Sequence, residues 1–292
     1  LSVLHPIISV TGSSGAGTTS VRNIFEQIFR REKVTAAYLE GDSFHRYDRI
    51  DMRTKMTEAA AAGNPHFSHF SPETNLLQEL EDAFASYAET GTARARHYVH
   101  DEAEAELYGG EPGKFTDWDQ LPAPTDILLY EGLHGAVKHE NIDTGRHADV
   151  KIGVVPVINL EWIQKIHRDK GHRRYSTEDV MDTILRRMPD YVHYICPQFT
   201  ETDINFQRVP TVDTSNPFIA RTIPTADESI IVIRFKDPHG IDFPYLLSML
   251  HGSFMSRANS IAVPGNKFDL AMQLILTPVI MQLVERRRRA LR

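Results

Sequence analysis

Residues 7–20, IISVTGSSGAGTTS, constrain the chain more than any other stretch. A short β-branched apolar run is followed by a loop with Gly12, Gly15 and Gly17, and then by hydroxyl residues that open a helix. An apolar run of this kind suits a strand buried in a parallel sheet. The glycines let the backbone turn so that successive N–H groups face an anion. Next, TTSVRNIFEQIFRR places Val21, Ile24, Phe25, Ile28 and Phe29 at the i, i+3, i+4, i+7 spacing of one apolar helix face. The N-terminus of that helix, with unpaired N–H groups and a positive dipole end, points back at the loop and favours phosphate there.

GSSGAGTT fits the phosphate-loop pattern G-x-x-x-x-G-K-[ST] at every required position except Thr18, which stands where the pattern has lysine. The nucleotide-binding candidates are therefore Gly12, Ser13, Ser14, Gly15, Ala16, Gly17, Thr18, Thr19 and Ser20, with the Thr19 hydroxyl placed for Mg²⁺. The lysine of such loops neutralises the β- and γ-phosphates. Either a cation from elsewhere in the chain does so here, or the loop is not a nucleotide site.

A second apolar run, TAAYLEGD (35–42), reads as a strand ending in acid, with His45 and Arg49 just beyond it. Ligands of open α/β sheets lie past the carboxyl ends of the strands, so Asp42 and His45 face the same crevice as the glycine loop. Asp42 is a candidate to accept a proton from an attacking hydroxyl or to help hold Mg²⁺. ILLYEG (127–132) is a third buried strand, and it delivers Glu131 as a second carboxylate for Mg²⁺, with His134 after it as a lining residue. DVKIGVVPV (149–157) adds another parallel-type strand. Leu76, Leu77, Leu80, Phe84 and Tyr87 predict a packing helix that stops at Gly91. A short strand is expected at Arg96–His100. His97, His100 and Asp101 lack further ligands at metal spacing, and no metal site is expected there.

The stretch NLEWIQKIHRDKGHRRYSTEDVMDTILRR begins as a helix through Leu160, Ile163 and Ile166, then enters RDKGHRR, four cations among seven residues around Gly171. This predicts a lid loop. Lys165, Arg168 and Arg173 are candidates for the cation that Thr18 does not supply, and Asp169 for binding Mg²⁺ or orienting the nucleophile. Ser176 and Asp179 resemble a capping box for the next helix, which carries Arg186 and Arg187.

Composition sets the outer bounds. The chain has 292 residues, 41% hydrophobic and 24% charged, enough to bury a substantial core. A net charge of −7 argues against a nucleic-acid binder. No uninterrupted run of roughly 20 apolar residues is present, so no membrane association is expected. The start LSVLHPIISV lacks the charged opening and cleavage pattern of a signal peptide, and Cys196, the single cysteine, has no intrachain partner. A cytoplasmic protein is expected. The ERRRRALR tail reads as the solvated last turn of a helix.

GSSGAGTTS, EGDSFHRYDR, YEGLHG and IHRDKGHRRYSTEDVMDTILRRMPDY together resemble phosphoribulokinases of the bacterial branch, in order and over essentially the whole chain. The resemblance implies ATP-dependent, Mg²⁺-assisted phosphorylation of D-ribulose 5-phosphate to ribulose 1,5-bisphosphate, the step that supplies the CO₂ acceptor in the Calvin cycle. It implies Asp42 as the base, and His45, Arg49, Arg168, Arg173, Arg186 and Arg187 around the sugar phosphate or the transferring group. It also implies homo-oligomers, possibly octamers, and a response to NADH as allosteric activator and to AMP. The glycine loop has no cysteine, so thioredoxin-type control is not expected.

The fold class expected is α/β: a kinase-like phosphate-loop core with a mixed central sheet flanked by helices and an antiparallel C-terminal extension. Residues 1–292 are read as one domain, 1–196 the nucleotide and lid core and 197–292 its extension. In the extension, QRVPTVDTSNPF, SIIVIRF and NSIAVPG read as strands and FPYLLSMLHGSFM as a helix, with a last helix that Pro278 kinks or divides. Arginines away from the crevice, Arg31, Arg234 and Arg257, are the effector candidates. Two other readings remain open on sequence: a uridine- or pantothenate-kinase-like enzyme on the same core, and a non-catalytic nucleotide or phosphosugar sensor.

Overall fold

The computed structural model of the chain describes residues 2–13, 18–155, 157–173 and 176–292, apart from the side chains of 18–20, 169–173 and 177. The first strand is β1 (Ile7–Thr11), followed by α1 (Thr18–Glu32) and β2 (Ala36–Glu40). Helices α2 (Arg49–Ala61) and α3 (Leu77–Thr90) come next. A two-residue pair, β3 (Arg94–Ala95) with β4 (Asp119–Gln120), brackets the short α4 (Glu102–Tyr108). After β5 (Ile127–Gly132), a second small pair, β6 (Lys138–His139) and β7 (Ile142–Asp143), leads to β8 (Val150–Val155). Helices α5 (Ile158–Arg173), α6 (Thr177–Asp190) and α7 (Gln198–Glu201) follow. The chain ends with β9 (Ile204–Pro210), β10 (Ser229–Phe235), α8 (Phe243–Met249), β11 (Phe254–Arg257), β12 (Ser260–Pro264) and α9 (Phe268–Ala290).

Eight strands form one sheet in the order β11-β12-β10-β9-β8-β1-β5-β2. From β9 to β2 every pairing is parallel, so the carboxyl ends of β8, β1, β5 and β2 share one edge. Beyond β9 the pairings turn antiparallel. This is the mixed sheet with an antiparallel C-terminal extension that the strand spacing predicts.

Alternation along β1 divides the core. Ile8 and Val10 face Val21, Ile24, Phe25 and Ile28 of α1 and the apolar stripe of α9, while Ile7 faces Leu80, Phe84 and Tyr87 of α3. Each fully buried Ile or Phe contributes roughly 1.5–3 kcal/mol. Helix α3 ends at Gly91, whose φ of 77° is the left-handed stop its position predicts. Ser176 caps α6, its Oγ accepting the Asp179 amide proton at 3.1 Å.

Several expectations are corrected. RDKGHRR is not a loop up to Arg173: α5 runs through Gly171, whose cost of about 1 kcal/mol relative to alanine is outweighed by neighbouring helix formers and by packing of Ile166 on Val180 and Ile184 of α6. Pro278 does not divide α9. The proline leaves the Leu274 carbonyl without its helical donor, but buried Met272, Ile275 and Leu276 before it and Ile280, Leu283 and Val284 after it hold one unbroken helix. The helix expected through Met255 ends at Met249, because Phe254–Arg257 pairs with β12 as an edge strand. The strand expected at Arg96–His100 reduces to Arg94–Ala95 and a single bridge from Tyr98 to Phe115.

The tail is not simply solvated. Arg287 Nη1 lies 2.9 Å from Asp126, ahead of β5, and Arg286 pairs with Asp149, ahead of β8, at 3.5 Å. By length and composition α9 is apolar enough to cross a membrane, yet its buried stripe packs against α1 and the sheet.

Candidate active site

The carboxyl edge of the parallel strands gathers the acidic candidates. Glu131 near the end of β5 is in register with Val10 of β1 on one side and Glu40 of β2 on the other. The amide of Gly12 donates to the Gly132 carbonyl at 3.0 Å, which ties the start of the glycine loop to the end of β5. Ser13 is buried, and its hydroxyl donates to the Glu161 carboxylate of α5. Ser14, Gly15, Ala16 and Gly17 lie outside the described residues, as do the side chains of Thr18, Thr19, Ser20, Asp169 and Arg173.

Past β2 the chain makes one tight turn, Gly41–Phe44, that carries Asp42. The turn fits because Gly41 and Gly132 approach backbone to backbone: a Cβ on Gly41 would stand 2.7 Å from the Gly132 Cα. Both Asp42 oxygens meet histidine. Oδ1 is 3.2 Å from His45 Nε2, and Oδ2 is 3.1 Å from His100 Nε2. Desolvation in the crevice pushes the Asp42 pKa up, but the charge of His45 and the hydrogen bonds from His100 and His45 outweigh it and hold the carboxyl well below its ordinary value.

Each histidine is itself fixed. His45 Nδ1 donates to Asn75 Oδ1 at 2.8 Å, since the Asn75 amide nitrogen is already used on the carbonyls of His69 and Ser71. The His69 ring lies 4.4 Å from that of His45, tilted by 35°, and burial, then the charges of His45 and Arg187, keep its pKa well below the usual value. His100 Nδ1 lies 3.1 Å from Glu104 Oε2, so both ring nitrogens face carboxylates. Its pKa is raised to about 9, chiefly by the hydrogen bond to Asp42.

Among the cationic candidates, Arg49 opens α2 and donates to the backbone carbonyl of His100, whose ring meets Asp42, at 2.8 Å. The Arg187 guanidinium lies over the Phe70 ring at 5.7 Å, and the Arg186 carbonyl meets His66 Nδ1, so both arginines sit against the loop that carries His69. Lys165 and Arg168 on α5 act electrostatically on Glu161, beside the start of the glycine loop. His134 lies behind His69. It is 3% exposed, donates to the His69 carbonyl at 3.3 Å and is pushed down to about 4 by burial, so a neutral ring braces the floor. The effector candidates stand apart. Arg31 bonds Glu32 and, on α9, Gln273 and Thr277; Arg234 bonds the Phe199 carbonyl; Arg257 is exposed on the edge strand β11.

Sequence reasoning missed His100 as a partner of Asp42, 58 residues away, along with Asn75, His69, Glu161 and Arg96. Arg96 donates to the carbonyls of Ser43 and His45 at 2.9 and 2.7 Å while its guanidinium stacks 3.7 Å from Phe115. The one available signal was the His97–His100–Asp101 cluster, which metal spacing alone does not interpret.

The chain is similar to known proteins over nearly its whole length. A phosphoribulokinase from Nitrobacter vulgaris is 71% identical over 98% of this chain and 99% of its own length. One from Xanthobacter flavus is 73% identical over 99% of this chain and all of its own. The solved structure of phosphoribulokinase from Rhodobacter spheroides superposes with a TM-score of 0.90 at 61% identity, covering 98% of this chain and 100% of that one. The model of the phosphoribulokinase / uridine kinase family matches residues 7–215, and the chain belongs to that family.

Proposed function

We propose that the chain transfers the γ-phosphoryl group of ATP to D-ribulose 5-phosphate, giving D-ribulose 1,5-bisphosphate and ADP in the Calvin cycle. The observation that carries the reading is Asp42, a carboxylate with a histidine on each oxygen, separated from the strand of the glycine loop only by β5. Near-full-length identity to phosphoribulokinases supports the substrate.

In this reading Asp42 takes the proton of the attacking hydroxyl at C1. The depressed pKa keeps it ionised at neutral pH, and His45 and His100 hold it in one orientation. Because both Asp42 oxygens already have partners, the base role is favoured over the metal role. Glu131, with Thr19, would hold Mg²⁺, which neutralises phosphate charge when bound. A carboxylate in register beside the loop's first amide suits that ion. Lys165 takes the place of the lysine replaced by Thr18, with Arg168, Arg173 and Asp169 closing over the transferring group. Arg49, Arg186, Arg187 and His45 grip the sugar phosphate, whose dianion calls for several cations.

Residues 1–292 act as one kinase unit in the cytoplasm, assembled into a homo-oligomer up to an octamer and activated by NADH. Arg257 is the effector candidate with the most open guanidinium, since Arg31 and Arg234 are engaged within the chain. The test is ADP release from Mg·ATP with ribulose 5-phosphate, beside uridine and pantothenate, each with and without NADH. Turnover with ribulose 5-phosphate alone, raised by NADH, is expected; turnover with a nucleoside overturns the substrate.

A further inference from the structure

Arg22 stands one turn into α1, the helix that follows the glycine loop, and its guanidinium joins that helix to the end of β2. Nε lies 3.1 Å from Glu26 Oε1 on the same helix, Nη1 lies 2.5 Å from Glu40 Oε1, and the group sits 5.1 Å from the centre of the Tyr38 ring. The other Glu40 oxygen faces the arm of residues 94–118. There Oε2 is 4.0 Å from Nδ1 of His97, a buried nitrogen with no hydrogen-bond partner among the described residues. His97 is fixed from its own side. Its amide donates to Thr116 Oγ1 at 2.9 Å, its carbonyl accepts from the Thr116 amide at 2.9 Å, and its ring stacks on Tyr108 of α4 at 4.0 Å.

Two carboxylates at the end of β2 thus meet two histidines of the arm: Glu40 faces His97, and Asp42 faces His100. From this match we infer that Glu40 is a positioning residue for Asp42. Through Arg22 it holds the start of α1 to the end of β2, and through His97 it sets the arm so that His100 reaches the Asp42 carboxylate. The inference rests on the base role proposed above for Asp42. A metal role fits Glu40 less well. It is in register with Glu131, but its Oε1 is already committed to a guanidinium, which leaves Glu131 as the carboxylate for Mg²⁺. Arginine is required at position 22 because the single ammonium of lysine cannot fork to Glu26 and Glu40 at once. Phosphoryl transfer depends on placement of the reacting groups more than on covalent help, so a shift between α1 and the end of β2 acts on the chemical step.

The test uses the full chain with three single changes. Glu40→Gln keeps shape and removes charge, Arg22→Gln removes the fork, and His97→Phe keeps a ring on Tyr108 and removes both nitrogens. Each is made in the unaltered chain and in the Asp42→Asn chain. In the unaltered chain each is expected to lower kcat about tenfold, with the KM for ribulose 5-phosphate and the Kd of ATP within about twofold. In the Asp42→Asn chain, whose residual turnover has no base to position, the same changes are expected to alter kcat by less than about twofold. Equal losses in both backgrounds mean a structural role only and overturn the inference. A rise in the Mg²⁺ concentration for half-maximal turnover with Glu40→Gln overturns it too, placing Glu40 on the metal. If one variant fails to fold, the other two decide. Loss of turnover with Asp42→Asn but not with Glu40→Gln overturns this inference alone, whereas full turnover with Asp42→Asn overturns the base role and this inference with it.

Discussion

His100 Nε2 lies 3.1 Å from Oδ2 of Asp42, across 58 residues of sequence, and the opposite oxygen of the same carboxylate lies 3.2 Å from His45 Nε2. A base held on both sides is oriented before substrate arrives, and its orientation survives loss of charge better than its chemistry does. Asp42→Asn should therefore lower turnover by about 10²–10⁴-fold, the usual range for losing general base catalysis, while leaving the Kd for ATP unchanged. Steady-state ADP release and calorimetric ATP binding check this together. Equal loss of binding and turnover would mean that Asp42 serves the nucleotide or its metal.

The two titrations of this pair act on stability in opposite pH directions. His100 binds its proton more tightly folded than unfolded, with its pKa raised from 6.5 to about 9. Its contribution is thus fully present below about 6.5 and is lost as pH rises through about 9. Asp42 is depressed when folded, so its contribution is present above the ordinary carboxylate range and disappears as pH falls through the depressed value. The thermal midpoint should show a plateau between these limits. His100→Gln should remove the alkaline decline over this window, measured by thermal unfolding at closely spaced pH values; an identical alkaline limb in the variant would disprove the coupling.

Arg96 holds the Asp42 turn from outside, forking to the carbonyls of Ser43 and His45 while its plane rests on Phe115 and, at 4.8 Å, Trp118. Lysine cannot reproduce a planar fork. Both Arg96→Lys and Arg96→Gln should cost about 1–3 kcal/mol, the cost of leaving buried carbonyls unsatisfied, and should lower kcat more than they raise either KM. Chemical denaturation and steady-state kinetics separate the two effects, and a variant with native kcat would remove Arg96 from the support of the base.

What the sequence makes legible here follows from range. Strands such as Ile127–Gly132 and Ser229–Phe235 and the stop at Gly91 depend on neighbours in sequence, and their boundaries are recovered to within a residue. The glycine loop, Asp42 and Glu131 are local to strand ends for the same reason. Helix α5 continues through RDKGHRR against expectation because composition weighs Gly171 and its cations, whereas the outcome depends on Ile166 meeting Val180 and Ile184 of α6. Pro278 stays helical for a similar reason, with buried residues on both sides. His100, Asn75 and Arg96 reach the Asp42 turn only through long-range folding, and their hydrogen bonds leave no periodic trace in sequence.

Gly132 sets the spacing between the two carboxylate-bearing strand ends. A Cβ there would stand 2.6 Å from the Gly41 Cα and 2.5 Å from the Tyr130 hydroxyl oxygen. The first contact is backbone, and neither partner can rotate away, so Gly132→Ala must push the end of β2 from the end of β5. That moves Asp42 relative to Glu131 and loosens the Gly12–Gly132 hydrogen bond that anchors the glycine loop. The variant should lose about 1–3 kcal/mol of stability, as overpacking does, and lose kcat beyond what its folded fraction explains. Adding Tyr130→Phe relieves the hydroxyl contact and not the Gly41 contact, so the double variant should recover neither. Recovery of full turnover in the double variant would show that the tyrosine hydroxyl, and not the approach of the two backbones, is what requires glycine at this position.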